Sequence, residues 1–194
     1  MCKKILVFTI GAILFWDLAF AAPTFTEGYR NSKWGMSFEE VKSKFQNYKF
    51  QRNDEGDIFI EDKIMGIDVR IFFYFFEDSL KEVQILHNVQ NPIFGISQDI
   101  KSGISNFDNF YMALKGKYGE PEKLSKNIPE YFSAAEAIET GETSFFSKWN
   151  TKESEILLFL GKGKSMFSSV TLAIIYTSTY YEEIEKQESA KSKL

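Results

Sequence analysis

The stretch that decides the fold is residues 67–87, IDVRIFFYFFEDSLKEVQILH, in which two apolar segments flank the polar residues Glu77-Asp78-Ser79. Such a pattern predicts a β-hairpin with its turn at the polar residues. Successive side chains of a strand point to opposite sides, so alternate residues share a face. The apolar face of the first segment is predicted to lie in the core and consists of Ile67, Val69, Ile71, Phe73 and Phe75.

The opposite face of the same strand changes character along its length. It begins with Asp68 and Arg70 and continues with Phe72, Tyr74 and Phe76. An antiparallel sheet that helices cover on one side usually shows polar residues on the other, so these aromatic residues need an explanation. The second half of the chain could cover them, they could bind a partner, or they could line a pocket for a small apolar ligand. Phe72, Tyr74 and Phe76 are therefore the candidate binding residues.

The first 21 residues have the features of a cleaved signal peptide. Lys3 and Lys4 precede an apolar stretch at 5–16, and Ala19-Phe20-Ala21 fits the small-x-small pattern that signal peptidase recognises. A membrane anchor is the alternative, but about 20 apolar residues are needed to span a bilayer and Asp17 interrupts the run. The exported chain is predicted to begin at residue 22, to keep no stable membrane anchor, and to be periplasmic or secreted.

The composition of the exported chain limits its chemistry. Removal of residues 1–21 leaves 21 basic and 26 acidic residues, a net charge of −5, which argues against nucleic-acid binding. Cys2, the one cysteine, leaves with the signal, so no disulfide is expected. Stability must then come from a packed core, which about 170 residues can supply in a single domain.

The first predicted helix starts in residues 34–42, WGMSFEEVK. Ser37 and Glu40 have the spacing of a capping box, in which each side chain bonds the other's backbone amide. The helix is predicted over about 37–47. Trp34, just before it, is predicted to be a core residue rather than a ligand-stacking one.

Two more helices are predicted in the middle of the chain. The longer one carries one apolar face from Ile100 to Tyr118 and ends at KYGEP, because Gly119 suits a left-handed position and Pro121 cannot continue a helix. The shorter one is expected over about 129–139. It would begin at Pro129, with four residues turned inward: Tyr131, Ala134, Ala135 and Ile138.

The remaining strands complete an α+β fold with an antiparallel sheet and helices on one face. A short strand is predicted at 58–61 with a turn near 62–63, and the last third reads as hairpins of strands at 143–149, 155–160 and 169–177. Helix followed by three strands thus occurs twice, which predicts two α-β-β-β halves in residues 22–96 and 97–180. One continuous sheet is the alternative. Residues 181–194 are predicted to be a charged flexible tail or a frayed helix.

Two short motifs carry a resemblance to known families. WGMSFEEVK near the start of the exported chain and KYGEP at a helix end resemble a group of uncharacterised exported bacterial proteins. More distantly, the chain is similar to the helix-plus-antiparallel-sheet modules of the barrel-assembly small lipoprotein and the β-lactamase inhibitory protein. Those modules share a G-x-S/T-x-x-x-V helix start and an L/Y-G-x-P helix end, matched here by Gly35, Ser37, Val41, Tyr118, Gly119 and Pro121.

The resemblance covers a small part of the chain and departs from the family pattern in two ways. No lipid-anchor cysteine stands at the cleavage point, and one half shows the helix-start motif while the other shows the helix-end motif. What it implies is an α+β module that binds other proteins. No functional residue is carried over.

Several catalytic and metal-binding chemistries lack their residues. His87 is the single histidine, so no other histidine could act as the base of a catalytic triad. A histidine- or cysteine-based zinc site lacks the number of ligands that it needs. The acidic turn at 53–57 lacks the ligand spacing of a calcium loop. Residues 163–165, Gly-Lys-Ser, resemble the end of a phosphate-binding loop, but the first glycine of that motif would fall at Leu158 within a strand.

The sequence therefore predicts a non-enzymatic binding or accessory protein that acts by contact with an as yet unidentified protein partner. No cofactor and no metal are predicted, and the oligomeric state stays open. A carrier of a small apolar ligand in a helix–sheet cavity is the first alternative. A carboxylate-based hydrolase is the second, because paired acids in a groove cannot be judged from sequence spacing.

Overall fold

A computed structural model describes residues 24–54, 56–89, 96–162 and 170–191, with side chains from 99 onward in the third range. Within these ranges the chain forms four helices and eight strands. The helices are α1 (Phe38–Lys44), α2 (Ile96–Tyr118), α3 (Ala134–Thr140) and α4 (Thr179–Lys191). The strands are β1 (Gln51–Arg52), β2 (Ile58–Ile64), β3 (Ile67–Phe76), β4 (Ser79–Asn88), β5 (Lys123–Ser125), β6 (Phe145–Asn150), β7 (Ser154–Lys162) and β8 (Val170–Ser178).

All eight strands belong to one antiparallel sheet with the order β1-β2-β3-β4-β8-β7-β6-β5. Each half of the chain contributes four neighbouring strands, and the last strand of each half pairs with the other, with Ile85 opposite Ile174. The α+β fold with an antiparallel sheet is therefore confirmed. The two halves form one continuous sheet, so the second half extends the first edge to edge and does not lie over it.

Helices pack on one face of the sheet, and the hydrophobic core lies between the helices and that face. The predicted apolar face of β3 is part of this core, as are Phe107 and Leu114 of α2 and Ile138 of α3. Gly103 allows α2 to approach closely, because a Cβ there would lie 2.7 Å from a methyl carbon of Val89. We call this side of the sheet the covered face.

The helix caps follow the sequence with small shifts. Ser37 and Glu40 form the predicted capping box, but α1 ends at Lys44 rather than near 47. After α2, Gly119 takes the expected left-handed backbone with φ of 84°. Trp34 is buried, as predicted, with 2% of its surface exposed.

The prediction for the third helix was wrong at its start. α3 begins at Ala134, because Ser133 and Glu136 form a second capping box, and the carbonyl of Pro129 instead accepts a turn hydrogen bond from Phe132. Tyr131, predicted to face inward, lies outside the helix and is 93% exposed. Ala135 and Ile138 are buried as expected.

The predicted turn at 62–63 was also wrong. β2 continues to Ile64, and the chain reverses at Met65 and Gly66, both with positive φ. The edge strands β1 and β5, of two and three residues, were not predicted because they are too short to show an alternating pattern. α4 starts directly after β8, so the segment predicted to be a tail is helical as far as residue 191.

A clasp on the N-terminal segment ties the two halves together. The indole N–H of Trp34 donates to Ser154 Oγ at 2.9 Å, and that hydroxyl donates to the Glu27 carboxylate at 2.9 Å. In return, the Glu153 carboxylate accepts the backbone N–H groups of Thr26 and Glu27 at 2.9 and 2.8 Å. These bonds, first the one from the Glu27 amide, lower the pKa of Glu153.

Next to the clasp, aromatic residues and an ion pair hold the segment against the sheet. The Arg30 guanidinium contacts Asp62 Oδ2 at 2.5 Å and donates to the Tyr48 hydroxyl at 3.2 Å. The rings of Tyr29 and Tyr176 lie 5.4 Å apart. Burial raises the pKa of Tyr29 to about 12 and also raises the pKa of Tyr176, so both hydroxyls stay protonated at neutral pH.

Some sequence predictions fall outside the described residues. These are the signal peptide at 1–21, the loop at 163–165, and the last three residues of the tail. They stay predictions.

Candidate functional site

The predicted aromatic residues lie on the side of the sheet opposite the core, which we call the open face. The rings of Phe72 and Tyr74 stack with centroids 6.4 Å apart, and Phe59 on β2 contacts Phe72 at 5.2 Å. Phe76 separates from them: its ring lies 6.4 Å from Tyr181 of α4 and packs against the edge of the core. The structure therefore brings two of the three candidates together.

The register of the strands extends this cluster across the whole sheet. One row of neighbouring side chains, the Phe72 row, contains Gln51, Phe59, Phe72, Gln84, Ile175, Leu157, Lys148 and Lys123. The next, the Leu86 row, contains Glu61, Arg70, Leu86, Ala173, Phe159, Phe146 and Ser125. Their apolar members form what we call the apolar band: Phe59, Phe72, Leu86, Phe146, Leu157, Phe159, Ala173 and Ile175.

Polar rows border the apolar band on both sides. The Glu82 row contains Tyr74, Glu82, Thr177, Glu155 and Asn150. At the other end lies the Asn88 row, which consists of Asn88, Thr171 and Gly161 together with the neighbouring pair Lys63 and Asp68. An apolar centre with a polar rim is the arrangement found in protein–protein interfaces.

The apolar band is separate from the core. None of its eight residues belongs to the buried cluster beneath the helices. Phe59, Phe72 and Ala173 are shielded by their neighbours on the sheet, whereas Leu86, Phe146, Leu157, Phe159 and Ile175 are only half-buried. In the described part of the chain the half-buried residues of the band therefore keep apolar surface in contact with water.

The charges of the open face cancel. Its four rows hold four acidic and four basic side chains, while the whole chain has a net charge of −4. Most pair across strands: Arg70 with Glu61 at 3.8 Å, Lys63 with Asp68 at 3.1 Å, and Lys148 with Glu155. These are exposed or partly exposed pairs that contribute little to stability, so the face carries no strong field of either sign.

Seven of the eight residues of the apolar band were missed in the sequence, although a signal for two of them was present. Residues 156–160, ILLFL, are apolar at every position. Ile156, Leu158 and Leu160 face the core, and Leu157 and Phe159 face the other way. β3 in the first half and β7 in the second are therefore apolar on both faces. They depart from the alternation of apolar and polar residues that a water-exposed sheet face normally shows.

A separate groove lies between α1 and β1. It has a volume of about 790 Å³ and is open to solvent. Its floor includes Phe38, Phe45 and Phe50, whose rings meet edge to face. Lys42, Lys49, Arg52 and Glu39 are among the residues along its rim. The carrier alternative requires a cavity between helix and sheet, and this groove has an aromatic floor but is open to solvent.

Acidic residues gather where α4 meets the Glu82 row, and each has a partner. Glu82 accepts from Gln84 and Thr177, Glu155 pairs with Lys148, Glu182 with Lys186, and Glu185 with Lys81. Paired in this way, the carboxylates resemble surface ion pairs. In the described ranges no three metal-ligating side chains come together.

His87, the single histidine, lies near the end of β4. Its Nδ1 is 2.9 Å from the carbonyl oxygen of Asp68, a contact typical of a strand-end residue. No described helix is long and apolar enough to cross a membrane. Comparison with known protein families, with curated proteins and with solved structures found no match to this chain.

Proposed function

We propose that this protein is an exported, non-enzymatic binding or accessory protein that acts through protein–protein contact, with the open face of its sheet as the contact surface. The observation that carries the proposal is the apolar band, two rows deep, with polar rows on both sides. A contiguous apolar surface that is rimmed by polar residues is typical of an interaction site. A partner that covered the half-buried members would remove their apolar surface from water, which is favourable.

The shape of the surface favours a macromolecular partner. Small ligands bind in concave sites that bury most of their surface, whereas the apolar band crosses six strands of a sheet face. Across strands spaced about 4.8 Å apart it is roughly 25–30 Å long, a length suited to another protein. Export is supported by the signal-like residues at 1–21.

Photo-cross-linking tests this function. A benzophenone amino acid replaces Leu157 on the open face or, as the control, Met112, which is exposed on α2. After illumination of the producing cells, we expect a discrete protein adduct from position 157 that position 112 does not give. The captured protein is then purified and its binding to the wild-type chain measured. Failure of position 157 to give any adduct above the control would contradict the proposal.

The groove between α1 and β1 supports a carrier as the second candidate function. Its floor is aromatic, and three of the four charged side chains on its rim are basic, so an apolar ligand with an anionic head would suit it. Fluorescence of a bound fatty-acid probe tests this candidate. Phe50→Ser should weaken binding at least tenfold if the probe sits on the aromatic floor. Equal binding by the variant would exclude the groove.

A further inference from the structure

The open face has the size of a complete interface. Its four rows hold 25 residues. With strands about 4.8 Å apart and same-face residues about 6.8 Å apart, these positions cover about 800 Å². A standard interface buries about 800 Å² and 20–30 residues on each partner. A partner that covered all four rows would therefore bury about the area of a standard interface.

The twist of the sheet limits what can cover it from edge to edge. Neighbouring strands rotate by about 20–25°, so the edge strands of an eight-stranded sheet differ by roughly 150°. A straight helix meets only part of such a surface. Another twisted sheet can pack on it face to face, with the mean strand directions of the two sheets within about 30° of each other. A second copy of the same chain has a sheet with the same twist, because its fold is the same.

The charge pattern also suits a second copy. A surface of one sign would repel itself, but the open face holds equal numbers of acidic and basic side chains, most of them already paired across strands. A two-fold axis that lies between the stacked sheets and runs across the strands would place Leu157 and Ile175 over Phe159 and Ala173 of the second copy. In that register no charged side chain of one copy lies over a like charge of the other.

The position of α4 fits the same symmetry. Glu182 and Glu185 of this helix line a crevice with Glu82, Glu155 and Thr177, so α4 stands beside the Glu82 row. The two-fold axis across the strands brings the Glu82 row of each copy to the Asn88 row of the other. The two α4 helices would then lie at opposite ends of the interface and leave its centre free.

We propose that the occupant of the open face is a second copy of this chain, and that two copies stack their sheets face to face into a closed dimer with helices outside. This proposal rests on the proposed function, because it uses the same surface and names its partner. The dimer would bury the half-exposed residues of the apolar band on both copies at once. Its symmetry closes the assembly, so no larger oligomer is expected.

Sedimentation of the full exported protein tests the dimer. Interfaces of this size give dissociation constants from micromolar to tighter, so at about 100 µM the mass should be twice that of one chain. Leu157→Thr with Ile175→Thr places threonine, a β-branched residue that suits strands, at both positions and should weaken dimerisation more than about tenfold. Met112→Gln, on α2, should leave it unchanged. Circular dichroism at high dilution, where all variants are monomeric, checks that each is folded.

Three results would overturn the dimer: a single-chain mass at about 100 µM, a dimer that the double variant leaves intact, or a control that dissociates equally. The cross-linker at position 157 separates this failure from failure of the proposed function. An adduct of twice the chain mass supports the second copy. An adduct of another mass leaves protein–protein contact standing and removes the dimer. Absence of any adduct counts against both.

Discussion

The two faces of the sheet use alternate residues of the same strands, but their surroundings differ. On β7, Ile156, Leu158 and Leu160 are at most 1% exposed beneath the helices, whereas Leu157 and Phe159, between them, are half-buried on the open face. Both sets are large and apolar. The sequence pattern of a strand thus shows whether each of its faces is apolar or polar. The connections between strands decide which face the chain itself covers.

The connections explain the one-sided arrangement. β2, β3 and β4 follow one another through tight turns, as do β6 and β7, and such hairpins need no crossover helix. The helices α1 and α2 precede the strands of their halves and pack on the same side. Among the described residues no helix crosses to the apolar band, and its half-buried members keep contact with water.

The largest expected effect compares adjacent residues of β3. Phe73, on the covered face, is 2% exposed and contacts Phe45 at a centroid distance of 5.2 Å. Phe73→Ala should lower the free energy of unfolding by about 3–5 kcal/mol because it leaves a cavity. Tyr74→Ala, on the open face, should cost less than about 1.5 kcal/mol in the monomer. Urea unfolding at high dilution measures both, and equal losses would remove the distinction between the faces.

The clasp gives the next largest effect, on the covered side. Ser154→Ala removes the hydroxyl that accepts from Trp34 and donates to Glu27. Because the indole N–H is buried, we expect a loss of about 1–3 kcal/mol in the free energy of unfolding. Ser125→Ala, on the edge strand β5, is the matched control and should stay within about 0.5 kcal/mol. A Ser154→Ala protein as stable as the control would show that the clasp does not hold the halves.

The pH dependence of stability should report on the Glu153 carboxylate at the β6–β7 turn. The pKa of Glu153 is lowered below the ordinary 4.5 by its backbone partners, so its contacts stabilise the fold above that pH and lose this effect as the pH falls through the lowered value. The stability difference between wild type and Glu153→Gln should be positive at pH 7 and shrink below pH 4.5. A constant difference would contradict the assignment. Glu155→Gln, on the open face, serves as the control.

The smallest effect belongs to the β3–β4 turn, which lies on neither face. Glu77 and Asp78 both have positive φ, a conformation that glycine adopts without cost. Asp78 also accepts the backbone N–H of Phe38 at 3.1 Å, so only Glu77 is free for substitution. Glu77→Gly should be neutral or stabilising by up to about 0.5 kcal/mol in thermal unfolding. A marked loss would mean that the turn is not strained at this residue.

Much of the fold could be predicted because its signals are local. The capping box at Ser37, the left-handed glycine after Tyr118 and the alternation of β3 each involve a few neighbouring residues. The errors also have local causes. Pro129 favours a helix start, but Ser133 offers two reciprocal hydrogen bonds four residues later, and that stronger cap decides where α3 begins.

The candidate site could be predicted only in part, because it depends on contacts between distant strands. The sequence pattern identifies Phe72 and Tyr74 as aromatic residues on the face of β3 that lies opposite the core. Their continuation through Ile175 and Leu157 requires the pairing of β4 with β8, which joins residues about 90 positions apart and leaves no local trace. Phe76 packs apart from these two residues, because its ring lies beside Tyr181 of α4.

Thiol labelling of two adjacent positions tests most directly whether the chain leaves one sheet face open. Cys2 is replaced by serine, and Leu157→Cys and Leu158→Cys are compared by maleimide labelling of the folded protein at high dilution. The account predicts fast labelling at 157, slowed as the protein concentration rises, and slow labelling at 158 throughout. Protection of position 157 equal to that of 158 at every dilution would contradict it, because the chain would then cover both faces itself.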